Sequence, residues 1–236
     1  MGPFANTLGR YDASPDAAGC ASSLRPRMEG VTVVDHPLLA RHVAVLRSAG
    51  TSREQFRHAL GEAAAILAYE ATSDLGREDF DVLTPLEPAR AQRPAKAIAV
   101  VAILRAGLGM VDGFLRLVPE AAIGHLGMRR NHETLRPEAY YESLPDVIGE
   151  ATTFVVDPML ATGGSAVAAL TRLAEAGAAD LRLVCLVAAP EGVRRVRGAM
   201  PGLPPIVIAA LDRQLDEKGY IRPGLGDAGD RLFGTG

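Results

Sequence analysis

Thr153-Phe-Val-Val-Asp-Pro-Met-Leu-Ala-Thr-Gly-Gly-Ser165 is the stretch on which the fold turns. Phe154, Val155 and Val156 are apolar without alternation, as in a strand covered on both faces, and Asp157 stands at the strand's end. A short loop of Pro158, Met159, Leu160 and Ala161 leads to Thr162, Gly163, Gly164 and Ser165, a cluster of small residues that opens a helix. A helix opening of this kind offers backbone N–H groups and two hydroxyls to a phosphate monoester, and the glycines let the main chain approach it. Asp157 can accept hydrogen bonds from the vicinal hydroxyls of a sugar whose phosphate sits in that nest. The constellation predicts a ribose 5-phosphate site. A bare Thr-Gly-Gly-Ser cluster would equally suit a capped turn without a ligand; the preceding strand and its terminal acid decide between the two. Walker-type triphosphate hydrolysis is excluded because no Gly-Lys-Ser/Thr follows.

Outward from this segment, Val, Ile and Leu recur in three more runs, 97–104, 181–188 and 205–211. The intervening 108–117, 164–176 and 190–199 read as crossover helices, so the fold class is α/β: a central, mostly parallel sheet flanked by helices. Thr51-Ser-Arg-Glu54 reads as a capping box, and Phe56, Leu60, Ala63, Leu67 and Glu70 follow at spacings of three and four, predicting a helix over 52–74. Residues 127–144, GMRRNHETLRPEAYYESL, are polar and break the rhythm, which predicts an excursion from the sheet, a hairpin or flap. From 212 to 236 the glycine density forbids a long helix and suggests a hood folded back over a ligand, with Asp230 ordering it by accepting backbone N–H groups. Open α/β sheets bind at the carboxyl ends of their strands, so the loops after 104, 157 and 211 are the places to look.

Residues 1–27 are rich in Gly, Ala, Ser and Pro and carry neither an apolar run nor a helical period, so they are expected to be a disordered extension, with one domain over 28–236. Periodic sequence begins just after Met28, which makes that residue a candidate alternative start. The 236 residues are 48% hydrophobic and 22% charged, ordinary for a globular protein. A net charge of −3 supplies no basic field for a polyanion, so nucleic acid is not an expected partner. The longest apolar run, Ala97 to Leu104, is far short of the roughly 20 residues of a membrane helix. Cys20 and Cys185 form no framework, and Cys185 reads as a small buried hydrophobe; a reducing, cytoplasmic setting follows. His36, His42, His58, His125 and His132 show no ligand spacing.

The 153–165 segment closely resembles the phosphoribosyl diphosphate signature of the type I phosphoribosyltransferase family, and VDPMLATGGS resembles its uracil branch. ILRAGLGM at 103–110, VAAPEG at 187–192 and GYIRPGLGDAGDRLFGT at 219–235 extend the likeness from about Met28 to the C-terminus. The resemblance implies transfer of phosphoribose from 5-phosphoribosyl 1-diphosphate to uracil, giving UMP and diphosphate in pyrimidine salvage, with Mg²⁺ carried by the donor rather than by protein ligands. Most type I members have two adjacent acids where this chain has Val156-Asp157-Pro158, the uracil branch's own variant. In the flap an aromatic is replaced by Arg129 and a family acid by His132.

On that reading the donor is held by Arg105, Arg130, Asp157, Pro158, Met159, Leu160, Ala161, Thr162, Gly163, Gly164, Ser165 and Asp227. Arg105 can meet the departing diphosphate with a planar donor fork, and Arg130 in the flap matches the family's second diphosphate arginine. Uracil offers two acceptors flanking one donor, a pattern that main-chain groups of an irregular loop can complement. The resemblance puts these on Ile221, Gly226 and Ala228, with Asp227 between them. Cytosine reverses part of the pattern and would leave buried groups unpaired at about 1–3 kcal/mol each. Arg105 and Asp227 are the residues assigned to catalysis, Asp227 as a candidate acceptor of the uracil N1 proton. Family likeness also points to a homo-oligomer, a dimer or larger. Some relatives are activated by GTP, an effector this sequence neither implies nor excludes. Two alternatives stand beside this reading: a nucleotide-sensing regulator on the same fold, disfavoured by the acidic charge and the intact uracil block, and an enzyme for a purine or orotate, disfavoured by the single acid.

Overall fold

A computed structural model describes residue 28 and residues 30–130, 137–203 and 206–235, with the backbone alone at 129, 130 and 137–139. The expected disorder of 1–27 lies outside the described residues, as does the 131–136 tip of the flap. The first half of the chain runs β1 (Val31–Val33), α1 (Pro37–Arg47), α2 (Arg53–Ala71), β2 (Arg77–Leu83), β3 (Pro88–Pro94), β4 (Ile98–Leu104), α3 (Leu108–Leu115) and β5 (Ala122–Arg130). The second half runs β6 (Pro137–Ser143), β7 (Thr152–Leu160), α4 (Gly164–Glu175), β8 (Asp180–Ala188), α5 (Pro190–Ala199), β9 (Ile206–Leu211), β10 (Gln214–Leu215), β11 (Ile221–Arg222) and α6 (Ala228–Phe233).

Seven strands form the central sheet in the order β1-β9-β8-β7-β4-β5-β6, parallel except for β6. The four runs of Val, Ile and Leu are its middle strands, and their side chains are buried on both faces because helices cover both. One face carries α1, α2, α3 and α6 around Phe56, Leu60, Phe114 and Phe154; the other carries α4 and α5 around Leu170, Leu173, Val193 and Val196. Chain direction in sheet order reverses between β4 and β7: from β4 the chain steps outward to β5, and from β7 it steps the opposite way to β8 and β9. Two neighbouring strands whose following loops diverge leave a crevice between them, which is where open α/β sheets hold their ligands.

Several details differ from the sequence reading. The capping box at the start of α2 is one residue later than expected: Ser52 Oγ accepts from Gln55 N–H, and the Gln55 side chain accepts from Ser52 N–H. Thr51 instead donates its hydroxyl to Val45 O, at the end of α1. The 127–144 segment is a hairpin, one of its two expected forms, but over its described residues it extends the sheet's edge rather than leaving the sheet: β5 and β6 pair antiparallel, with an irregularity at Gly127/Met128. Asp157 is not at a strand end either. Pairing of β7 with β4 stops at Val156, but pairing with β8 continues to Leu160, so Asp157 and Pro158 lie where one neighbour has ended. β2 and β3 form a separate two-stranded hairpin that was not foreseen.

Candidate active site

Three segments converge at the carboxyl end of the sheet: the turn after β4, the turn after β7, and the C-terminal hood. Arg105, Ala106 and Gly107 follow β4, and the Leu104–Arg105 peptide is cis. A Cβ at Gly107 would lie 2.5 Å from Val156 O and 2.6 Å from Ile103 O, so only glycine lets this turn pass across β4 and β7. Arg105 is exposed at the crevice.

After β7, Ala161, Thr162 and Gly163 turn into α4, whose N-cap is Gly163 in the left-handed region at φ 76°. Thr162 and Ser165 are exposed, whereas Gly163 and Gly164 are buried under the turn. The turn is backed by α5 through main-chain contact. A Cβ at Gly192 would fall 2.3 Å from Ala161 O and 2.8 Å from Leu160 O, and one at Gly163 would fall 2.8 Å from Gly192 O. Ala189 N–H also donates to Leu160 O at 2.9 Å. The VAAPEG block therefore serves as the rear wall of the 161–165 turn, a role its sequence did not reveal. What results is a turn of fixed shape opening α4, whose first N–H groups have no partner within the helix and so suit a phosphate.

Asp157 is half-buried and, among the described residues, accepts one weak hydrogen bond, from Met159 N–H at 3.3 Å. Burial pushes its carboxyl up to about 7, against which the Met159 N–H works only in part. Across the ladder sits Cys185, a free buried thiol that burial, and then the neighbouring Asp157 charge, push well above its ordinary range. It is inert packing, as its apolar setting suggested.

The hood begins at Asp212, whose N–H donates to Ala188 O at 2.8 Å. Its buried carboxylate takes Arg47 Nη1 at 2.8 Å and Gly224 N–H at 2.9 Å, and Arg47 Nη1 also reaches Gly224 O at 2.8 Å. Arg57 donates to Leu232 O at 2.8 Å, and Arg231 donates to Ser48 O at 2.7 Å and to Leu225 O at 2.8 Å, with its guanidinium 4.4 Å from the Phe56 ring centroid. Three arginines thus fasten the hood to α1 and α2. Glu191 Oε1 accepts Leu215 N–H at 3.2 Å and ties the hood to α5 as well. None of Arg47, Asp212, Arg57 or Glu191 was singled out from the sequence, although an acid directly after a buried strand was a usable signal at Asp212.

Ile221, Ala228 and Leu225 are buried against α2, while Gly226 and Asp227 are exposed above them. Asp227 caps α6, its Oδ1 accepting Asp230 N–H at 2.9 Å. The ordering role expected of Asp230 therefore belongs to Asp227 and Asp212; Asp230 instead faces Arg105, 3.7 Å from Nη2. A Cβ on Gly219 would touch Thr162 Cγ2 at 3.8 Å, so the hood reaches the 161–165 turn at one end and Arg105 at the other. Arg130 ends β5 beyond the level of Leu104, which pairs with Gly127; its side chain lies outside what the structure describes. His36 caps α1 and His42 is lowered chiefly by burial, so neither joins the site. Among the described residues no group of three or more His, Cys, Asp or Glu is arranged to hold a metal.

Comparison with known proteins gives one consistent result. The sequence model of the family described as uracil phosphoribosyltransferase matches residues 33–235. A uracil phosphoribosyltransferase of Salinibacter ruber is 57% identical over 88% of this chain and 99% of its own length. One from Streptococcus equi subsp. zooepidemicus is 52% identical over 86% of this chain and 97% of its own. A solved structure of a protein from Aquifex aeolicus superposes with a TM-score of 0.82 at 38% identity, covering 87% of this chain and 98% of the other.

Proposed function

The chain belongs to the uracil phosphoribosyltransferase family, and on that premise we propose how its three converging segments divide the work of the reaction. The protein is a pentosyltransferase that converts uracil and 5-phosphoribosyl 1-diphosphate to UMP and diphosphate. The observation that carries the assignment of roles is the meeting of the hood with both the Thr162 turn and Arg105 at the sheet's switch point.

The main-chain N–H groups of Thr162 to Ser165 and the two hydroxyls take the 5-phosphate, supported by the backbone-backed turn. Asp157 accepts the ribose hydroxyls, with Pro158, Met159, Leu160 and Ala161 shaping that wall. Positive charge develops on the sugar as diphosphate leaves, so the leaving charge needs fixed donors, which Arg105 supplies from the crevice and Arg130 from β5. Ile221, Gly226 and Ala228 present main-chain groups to the uracil edge, and a base mismatched to that edge leaves buried groups unpaired. Asp227 has one carboxylate oxygen with no partner among the described residues, free to take the uracil N1 proton or to meet the donor. Mg²⁺ would arrive on the donor and, when bound, offset charge on the diphosphate, with Asp227 an exposed carboxylate of the hood able to meet it.

We place the enzyme in the cytoplasm, on the strength of its cysteine usage, and in a homo-oligomer. The β2–β3 hairpin supports the latter: nearly all of it is exposed, with Leu83 81% and Leu86 95% accessible. A two-stranded hairpin is marginal in water without something to pack against. GTP is retained as a candidate effector on family likeness alone. Purified protein with Mg²⁺, donor and each of uracil, cytosine, orotate and hypoxanthine tests the assignment. UMP from uracil alone is the expected result; turnover of orotate or hypoxanthine, or none with uracil, contradicts it.

A further inference from the structure

Arg105 is held by the last few residues of the chain. Its Nη2 lies 3.4 Å from Thr235 Oγ1 and 3.7 Å from Asp230 Oδ1, and its guanidinium carbon stands 5.7 Å from the Phe233 ring centroid. Thr235 in turn donates its hydroxyl to Asp230 Oδ1 at 2.8 Å, which fixes where its lone pairs point. Gly234, at φ 72°, ends α6 in the left-handed region and brings Thr235 back toward Asp230. The carrier itself is well fastened, by Asp227 at its start, Arg231 to the end of α1 and Arg57 at Leu232 O. Only Nη2 of Arg105 is engaged, so Nη1 and Nε have no partner among the described residues. Nη2 carries two hydrogens, so the one not turned to Thr235 still pairs with a neighbouring N–H of Nη1 or Nε as a planar donor edge for a bidentate oxyanion.

We propose that Thr235 and Phe233, aimed by Asp230, are positioning residues for Arg105, so that the segment reading uracil also sets affinity for the donor's diphosphate. This rests on the reading that Arg105 meets the diphosphate. An unheld arginine samples many rotamers and loses that freedom when it binds; one already confined by a ring face and a hydroxyl loses less. The same eight residues, Ala228 to Thr235, begin beside the uracil edge and end at the diphosphate arginine, so one short segment serves both ends of the active site through different residues.

Steady-state kinetics and product inhibition by diphosphate on Thr235→Val, Thr235→Ser, Arg105→Gln and the Arg105→Gln/Thr235→Val pair test this. Thr235→Val should weaken diphosphate inhibition and raise the donor KM about three- to fivefold, the worth of an exposed pair, while the uracil KM moves less than about twofold. Thr235→Ser should restore wild-type values, and Thr235→Val should add nothing once Arg105 is Gln. The proposal is overturned if Arg105→Gln weakens diphosphate while Thr235→Val does not, if the Val effect persists in the Arg105→Gln background, or if uracil and donor KM rise together. If Arg105→Gln itself leaves diphosphate inhibition unchanged, the underlying role of Arg105 fails, and the proposal with it.

Discussion

The turn that would take the phosphate and the hood that would read the base are built in opposite ways. The 161–165 turn is held by main chain on main chain: β7 beneath it, α5 behind it, and glycine at both contact points. The hood has only short elements, β10, β11 and α6, and is held by side chains, with Arg47, Arg57 and Arg231 reaching carbonyls and a carboxylate across more than 150 residues of sequence. A nest that must present N–H groups at fixed positions gains from a scaffold with no rotamers to sample, whereas a cover over a base can be hinged on hydrogen bonds and still close.

The contrast makes separable predictions. Gly192→Ala forces a Cβ into Ala161 O, and moving the turn by the roughly 1 Å needed to relieve it should cost about a hundredfold in kcat/KM for the donor. The uracil KM should change far less, and an equal rise in both would erase the distinction. Arg47→Met strands the buried Asp212 carboxylate, so about 3 kcal/mol of stability should go in denaturant unfolding, and the uracil KM should rise more than the donor KM.

Asp157 adds a pH signature to the turn. Its ionised form accepts ribose hydroxyls, so donor KM should rise as pH falls through about 7, and Asp157→Asn should flatten that dependence. The sign for stability runs the other way. With a folded value near 7 above an ordinary 3.8, the folded state binds the extra proton between those limits, so this group's contribution declines as pH rises from 4 to 7. Asp157→Asn should therefore raise Tm more at pH 8 than at pH 4. The smallest effect is a control: Ser52→Ala removes the α2 cap and should cost about 1 kcal/mol in thermal unfolding, with KM values unchanged.

What could be read from the sequence follows burial. Strands buried on both faces announce themselves, and β4, β7, β8 and β9 were all legible as apolar runs. The β2–β3 hairpin was not, because REDFDVL and PARAQRP are solvated on both faces and carry no burial pattern to find. α1 left a signal that went unused: Leu39, Val43 and Leu46 at spacings of four and three, with Pro37 at the first position. Ser52 and Thr51 both open a capping-box pattern, so local sequence alone could not choose between them. Asp157 and Thr162 to Ser165 could be offered as candidates from the sequence because phosphate and ribose chemistry asks for those residue types. Their supports were not, since Arg47–Asp212 and Arg105–Thr235 are pairings between distant parts of the chain that only the fold brings together.

The most direct test is a crystal structure of the protein with UMP. The phosphate should lie on the N–H groups of Thr162 to Ser165, the ribose against Asp157 and the pyrimidine edge on the main chain of Ile221 to Ala228. A nucleotide bound with its phosphate away from that turn, or its ring away from the hood, would contradict the account.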